Sequence, residues 1–153
     1  MKAILILALF TLHHANTNTM QQFEQLERNR RLHEAATWGN YGTIKVLIAF
    51  GADVNFRKEP EISRTSLHAA ASNGHAKVCS YLIDKGADLN ATDATGNTPL
   101  MLAVKNHESK AYKVLLKAGA DTTPVNNKRK TALMIAEEYN NQAAVEAIRQ
   151  KFE

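Results

Sequence analysis

From Thr65 to Asn90 the chain reads TSLHAAASNGHAKVCSYLIDKGADLN. Leu67 and Ala70 stand at i and i+3, on one face of a short helix, and the small alanine lets a neighbouring helix approach closely. Gly74 sits where a left-handed residue would reverse the chain. Cys79, Leu82 and Ile83 follow at i, i+3, i+4 with polar Ser80 between them, which marks a second helix with a one-sided apolar stripe. Gly86 is placed as the C′ glycine that ends that helix. The spacing predicts helix, turn, helix and an extended finger. One helix pair of this size cannot bury its stripe alone, so it must stack on a neighbour.

The neighbours are written into the rest of the chain. Gly-Ala-Asp recurs at Gly51, Gly86 and Gly119, separated by 35 and 33 residues. A leucine stands nineteen residues before each, at Leu32, Leu67 and Leu100, and Leu133 follows at the same step. Ala35, Ala70, Ala103 and Ala136 come three residues later. The second helix repeats as the columns Ile44/Cys79/Tyr112/Val145, Leu47/Leu82/Leu115/Ile148 and Ile48/Ile83/Leu116. Gly39 and Gly74 mark the turn in two units, and His107 and Asn140, which tolerate positive φ better than most residues, take that place in the others.

These residues resemble the ankyrin-repeat family. The resemblance is carried by Thr65 to Asn90, by TPLMLAVKNHESKAYKVLLKAGAD from Thr98 to Asp121, by LHEAATWGNYGTIKVLIAFGADVN from Leu32 to Asn55 and by the terminal unit Thr131 to Phe152, about 120 of the 153 residues. It implies an all-α fold, a solenoid of helix-turn-helix units with short β-hairpin or extended fingers. The units are expected at about 30–58, 64–93, 97–126 and 130–153 of a repeat domain spanning 30–153. The resemblance also implies binding to another protein, through a surface that differs from member to member. It places His33 and His68, each following the repeat leucine, in a structural hydrogen-bonding role.

The ends read as caps. Arg30-Arg31 replaces the Thr-Pro that opens the third unit, which predicts a charged outer face; Arg149 replaces the apolar Ile48, Ile83 and Leu116, and Phe152 stands where Gly-Ala-Asp would begin. Solenoid termini need a polar outer face, so four units are expected to form the whole array. Residues 20–29 are a spacer or a lead-in helix.

Residues 1–19 differ from the rest. Met1-Lys2 is followed by AILILALFTL from Ala3 to Leu12 and by a short polar stretch to Thr19. This has the outline of a secretory signal, although no Ala-x-Ala cleavage site occurs. Two other readings stay open: an amphipathic or buried N-terminal helix, and a true start at Met20. A cleaved Met1–Thr19 implies a secreted or periplasmic protein, and a start at Met20 a cytoplasmic one. Ten apolar residues are too few to span a bilayer, which needs ~20. No membrane span is expected once the leader is gone.

Composition sets outer bounds. With 44% apolar and 22% charged residues, seven glycines and three prolines, the chain is neither disordered nor collagenous. Its one cysteine, Cys79, cannot form an internal disulfide. The net charge of +4 permits nucleic acid without demanding it, and the interleaved acids argue against that partner.

No residue is expected to be catalytic, to ligate a metal or to bind a cofactor. His33-Glu34 opens a zinc-peptidase pattern, but Thr37 stands where the second histidine belongs. Cys79 lies in an apolar column with no base immediately beside it, the setting of a buried, inert thiol. Asn90-Ala91-Thr92 fits the glycosylation pattern, yet Asn90 is also the repeat's own Asp-x-Asn, as Asn55 is.

The binding candidates are the positions that vary while their repeat neighbours stay fixed. Two slots before each turn do so: Thr37/Trp38, Ser72/Asn73, Lys105/Asn106 and Glu138/Tyr139. Trp38 and Tyr139 are aromatic in otherwise polar slots, which suits either interface anchors or packing over their own helix pairs. The first finger carries Arg57, Lys58 and Arg64 with Glu59 and Glu61 between them, the middle one ends at Asn97, and the last carries Lys128, Arg129 and Lys130. Basic fingers favour a protein partner with an acidic segment, bound by a monomer. The alternative is a regulatory inhibitor that occludes an enzyme's active site.

Overall fold

A computed structural model describes residues 2–58 and 62–152, with side chains for 17–58 and 62–151. Glu59, Glu61 and the side chains of the apolar leader and of Phe152 lie outside the described residues.

Among the described residues eight α-helices follow one another: α1 (Lys2–Thr37), α2 (Tyr41–Ala49), α3 (Ser66–Ser72), α4 (Ala76–Asp84), α5 (Pro99–Lys105), α6 (Ser109–Lys117), α7 (Ala132–Glu138) and α8 (Gln142–Arg149), then a 3₁₀ turn at Gln150–Phe152. Three first helices start where the sequence supplies a cap. The hydroxyls of Thr65, Thr98 and Thr131 accept from the backbone N–H of His68, Met101 and Met134. Arg30 holds that column in the first unit, and an arginine cannot cap, so α1 runs straight through it. All four turn positions have positive φ: Gly39 at 68°, Gly74 at 75°, His107 at 60° and Asn140 at 53°.

The units stack through α1, α3, α5 and α7 on one side, and through α4, α6 and α8 on the other. Leu32, Leu67 and Leu100 are fully buried between layers, as are Ala70, Ala103 and Ala136, where the missing side-chain volume sets the close approach. In the second helices Ile44, Cys79, Tyr112 and Val145 are buried, and Arg149 is exposed with its guanidinium 3.1 Å from Glu137. That end is polar. At the opposite end Arg30 and Arg31 are exposed on α1, 3.8 and 3.6 Å from Glu27, but Val46 on α2, 54% exposed, and Phe50 just after it, 72% exposed, add apolar surface beside that charge. Among the described residues the fingers contain no strand, only an isolated bridge between Lys58 and Arg64.

Asparagine side chains join successive units. Asn55 accepts from the Asp88 N–H at 2.8 Å and donates to the Gly86 carbonyl at 3.0 Å, and Asn90 accepts from the Asp121 N–H at 2.9 Å. For the first unit the same bonds come from α1, where Asn29 accepts from the Asp53 N–H and Gln25 donates to the Gly51 carbonyl, both at 2.8 Å. Asn90 therefore has a structural place in this ladder.

Candidate interaction groove

The fingers and the C-terminal ends of the first helices enclose two clefts. One, of about 250 Å³, lies between the last two fingers and is lined by Asn97, Lys105, Lys128, Lys130, Glu138 and Tyr139 among others. The other, of about 230 Å³, lies under the first finger between α1 and α3 and includes His33, Thr37, Lys58, Arg64, Ser72 and Asn73.

Electrostatics distinguish the larger cleft. Lys130 Nζ is 2.6 Å from Glu138 Oε1, and Lys105 Nζ sits 5.6 Å from the centre of the Tyr139 ring. The hydrogen bond from Lys130, with the charges of Lys130, Lys128 and Lys105, holds the Glu138 carboxyl below its ordinary pKa. Three cations thus surround one carboxylate. The cleft keeps a positive excess beside an aromatic face.

Of the sequence candidates, Lys105, Lys128, Asn97 and Tyr139 meet in this cleft, and Lys58, Arg64, Ser72 and Asn73 in the other. Trp38, Arg57, Asn106 and Arg129 line neither. Trp38 is 81% exposed beside Thr37, which lines the smaller cleft, and Arg129 forms a finger tip at φ 58°. Arg57 donates to the Thr92 carbonyl at 2.6 Å and so ties the first finger to the second. Asn106 donates to the Ser72 carbonyl at 2.8 Å and joins α5 to α3. The Asn97 carboxamide oxygen accepts from Asn126 at 2.8 Å. Three candidates are thus engaged between units. Periodicity could point to Lys130 and Glu138, but Thr95, Asn126, Asn127 and Ile135 are brought in by finger conformation, which leaves no signature in the repeat.

The two family histidines differ. The His68 ring is fully buried; the Thr65 N–H lies 3.3 Å from Nδ1, and the Asn97 carbonyl 3.1 Å from Nε2. A backbone N–H only donates and a carbonyl only accepts, so the neutral ring carries its proton on Nε2. Burial pushes its pKa from 6.5 down to about 4. His33, expected to bond likewise, has no partner on either nitrogen among the described residues. Without a threonine cap at Arg30, nothing fixes its ring as Thr65 fixes that of His68. Burial chiefly, with Lys58 and Arg64 nearby, lowers its pKa to about 4 as well.

Cys79 is fully buried and its thiol is pushed up to about 12 by desolvation, so it stays protonated. Among the described residues no His, Cys, Asp and Glu side chains cluster as a metal site, and no helix is long and apolar enough to cross a membrane.

Comparison with known proteins agrees with the stacking. A family model for ankyrin repeats in sets of three matches residues 5–93, 32–126 and 93–152. Human protein phosphatase 1 regulatory subunit 27 is 43% identical over 68 residues, covering 44% of this chain and 43% of that protein. Mouse ankyrin repeat domain-containing protein 40 is 38% identical over 79 residues, 52% of this chain and 22% of that one. The ARF GTPase-activating protein Git of Drosophila melanogaster is 41% identical over 76 residues, 50% of this chain and 10% of that one. The matches thus span less than half the length of these relatives. With the repeat, the stacked helix pairs and the asparagine ladder all in register, the chain belongs to the ankyrin-repeat family, whose units indicate a protein–protein interaction module.

Proposed function

We propose that the chain is a non-enzymatic module that binds one protein partner along its fingers and first helices, and that the partner presents an acidic segment. The observation that carries this reading is the cleft between the last two fingers, where Lys105, Lys128 and Lys130 surround the single carboxylate of Glu138 beside Tyr139. A carboxylate entering there gains from the uncompensated cations, and Tyr139 offers apolar area next to them. Replacing Lys128, Arg129 and Lys130 together with glutamate is expected to lower affinity for an acidic peptide at least tenfold. It should also flatten the dependence of affinity on salt. Unchanged affinity and salt dependence, read by fluorescence anisotropy at two ionic strengths, would sink the proposal.

A second reading makes the partner an enzyme whose active site the groove covers. It is favoured by the likeness to a phosphatase regulatory subunit. An activity assay on the captured partner separates the two, since an adaptor leaves that activity unchanged. Export belongs to the proposal through residues 1–19. A mature protein beginning near Asn18 or Met20 in exported material supports it, and retention of Met1 there removes it.

A further inference from the structure

The smaller cleft poses a chemical problem that the fold does not solve. His33 is 8% exposed, and among the described residues neither Nδ1 nor Nε2 meets a hydrogen-bond partner. An orphaned buried polar group is costly. The corresponding ring in the next unit shows what completion looks like, because His68 is bonded by Thr65 on one side and Asn97 on the other. Around His33 the remaining polar groups are already committed in one sense. The hydroxyls of Thr37 and Ser72 donate to the carbonyls of His33 and Ala69 in their own helices, and Asn73 donates to Ala69 as well. Donors toward an occupant therefore come from the Lys58 ammonium, the Arg64 guanidinium and the imidazole. Arg64 spends one of its five N–H donors on Asp93, at 3.4 Å.

We propose that this cleft is a subsite for an aspartate or glutamate side chain of the protein partner, with Lys58 and Arg64 pairing its charge and His33 donating to it. A set of donors at the edge of a cleft with its hydroxyls turned away suits an acceptor-only ligand, which a carboxylate is. A half-turn about Cβ–Cγ exchanges each ring nitrogen of His33 with a carbon, so the ring can offer its N–H without leaving its place. The subsite rests on the protein-binding reading but not on the lysine cleft of the last fingers, which lies two units away.

The full chain, isotopically labelled, is to be titrated at pH 7 with acetyl-Gly-Glu-Glu-Gly-amide and with its Gln and Lys counterparts, following the ring signals of His33, His68 and Tyr139. The Glu peptide is expected to move His33 saturably while His68 stays still, and the Gln peptide to act at least fivefold more weakly. Lys58→Met should weaken the response at His33 at least fivefold. His33→Met places there the residue that Met101 and Met134 hold in the same column; it should weaken binding while leaving the urea midpoint equal or higher. A fall in both would assign His33 a structural role and overturn the proposal. So would a motionless His33, an equal response to the Gln or Lys peptide, or the same shift from inorganic phosphate alone. Movement at Tyr139 without His33 sinks the subsite and leaves the wider function standing; movement at His33 without Tyr139 does the reverse for the lysine cleft.

Discussion

His68 is held neutral by its surroundings, and this couples stability to pH. The folded ring takes up a proton near 4, whereas the unfolded one does so near 6.5. Between those values the unfolded chain binds more protons, so the stabilising contribution is complete above about 6.5 and is lost as the pH falls toward 4. The slope reaches about 1.4 kcal/mol per pH unit for each such histidine. His68→Met is expected to lower the urea midpoint at pH 7, through loss of the bonds to Thr65 and Asn97, and to flatten the decline between pH 7 and pH 5. An undiminished slope would show that the ring titrates normally. The same position illustrates what sequence alone could and could not say. His33 and His68 are indistinguishable by column, and what separates a satisfied ring from an orphaned one is the Thr65 cap, which Arg30 does not supply, together with the Asn97 carbonyl, which has no counterpart at His33 among the described residues.

Helix pairs and fingers depend on a few special backbone and side-chain positions. The turn was legible because left-handed backbone narrows the choice of residue, and glycine, histidine and asparagine mark all four places. The finger tips impose the same demand at Ser63 (φ 50°), Gly96 (75°) and Arg129 (58°), but only the glycine advertises it. The bonds made by Gln25 and Asn29 were illegible for another reason. They reproduce, from a helix, contacts that the other units make from the residue after Asp-x. Asn29 is buried, so Asn29→Ala should cost about 1–2 kcal/mol. It should also speed hydrogen exchange at the Asp53 amide. Asn90→Ala, at an exposed rung, is expected to cost less than Asn29→Ala in the same urea titration.

Across the whole molecule, stability is a sum of unit and interface contributions rather than the property of one centre. The architecture could be read from the chain because period, apolar stripe and turn chemistry agree. The clefts were read only in part. Repeat variation found Lys105 and Tyr139, and finger charge found the other cations, but neither showed which candidates would be spent on neighbouring units, as Arg57, Asn97 and Asn106 are.

The asparagine ladder has a further consequence, in how such a chain can lengthen. Both rungs between finger-bearing units run in the same direction, from the asparagine that opens one finger to the amide that opens the next, and the second unit offers both halves, in the Asp88 amide and Asn90. A tandem copy of residues 65–97 would join Asn97 to a second Thr65 just as it now joins Thr98, and it would supply its own asparagine. That five-unit protein should fold and show a higher urea midpoint, with circular dichroism reporting two additional helices. An insert one residue shorter would leave a rung without its acceptor and turn a stripe away from the interior. Heredity can thus edit this molecule in whole words while letters are penalised.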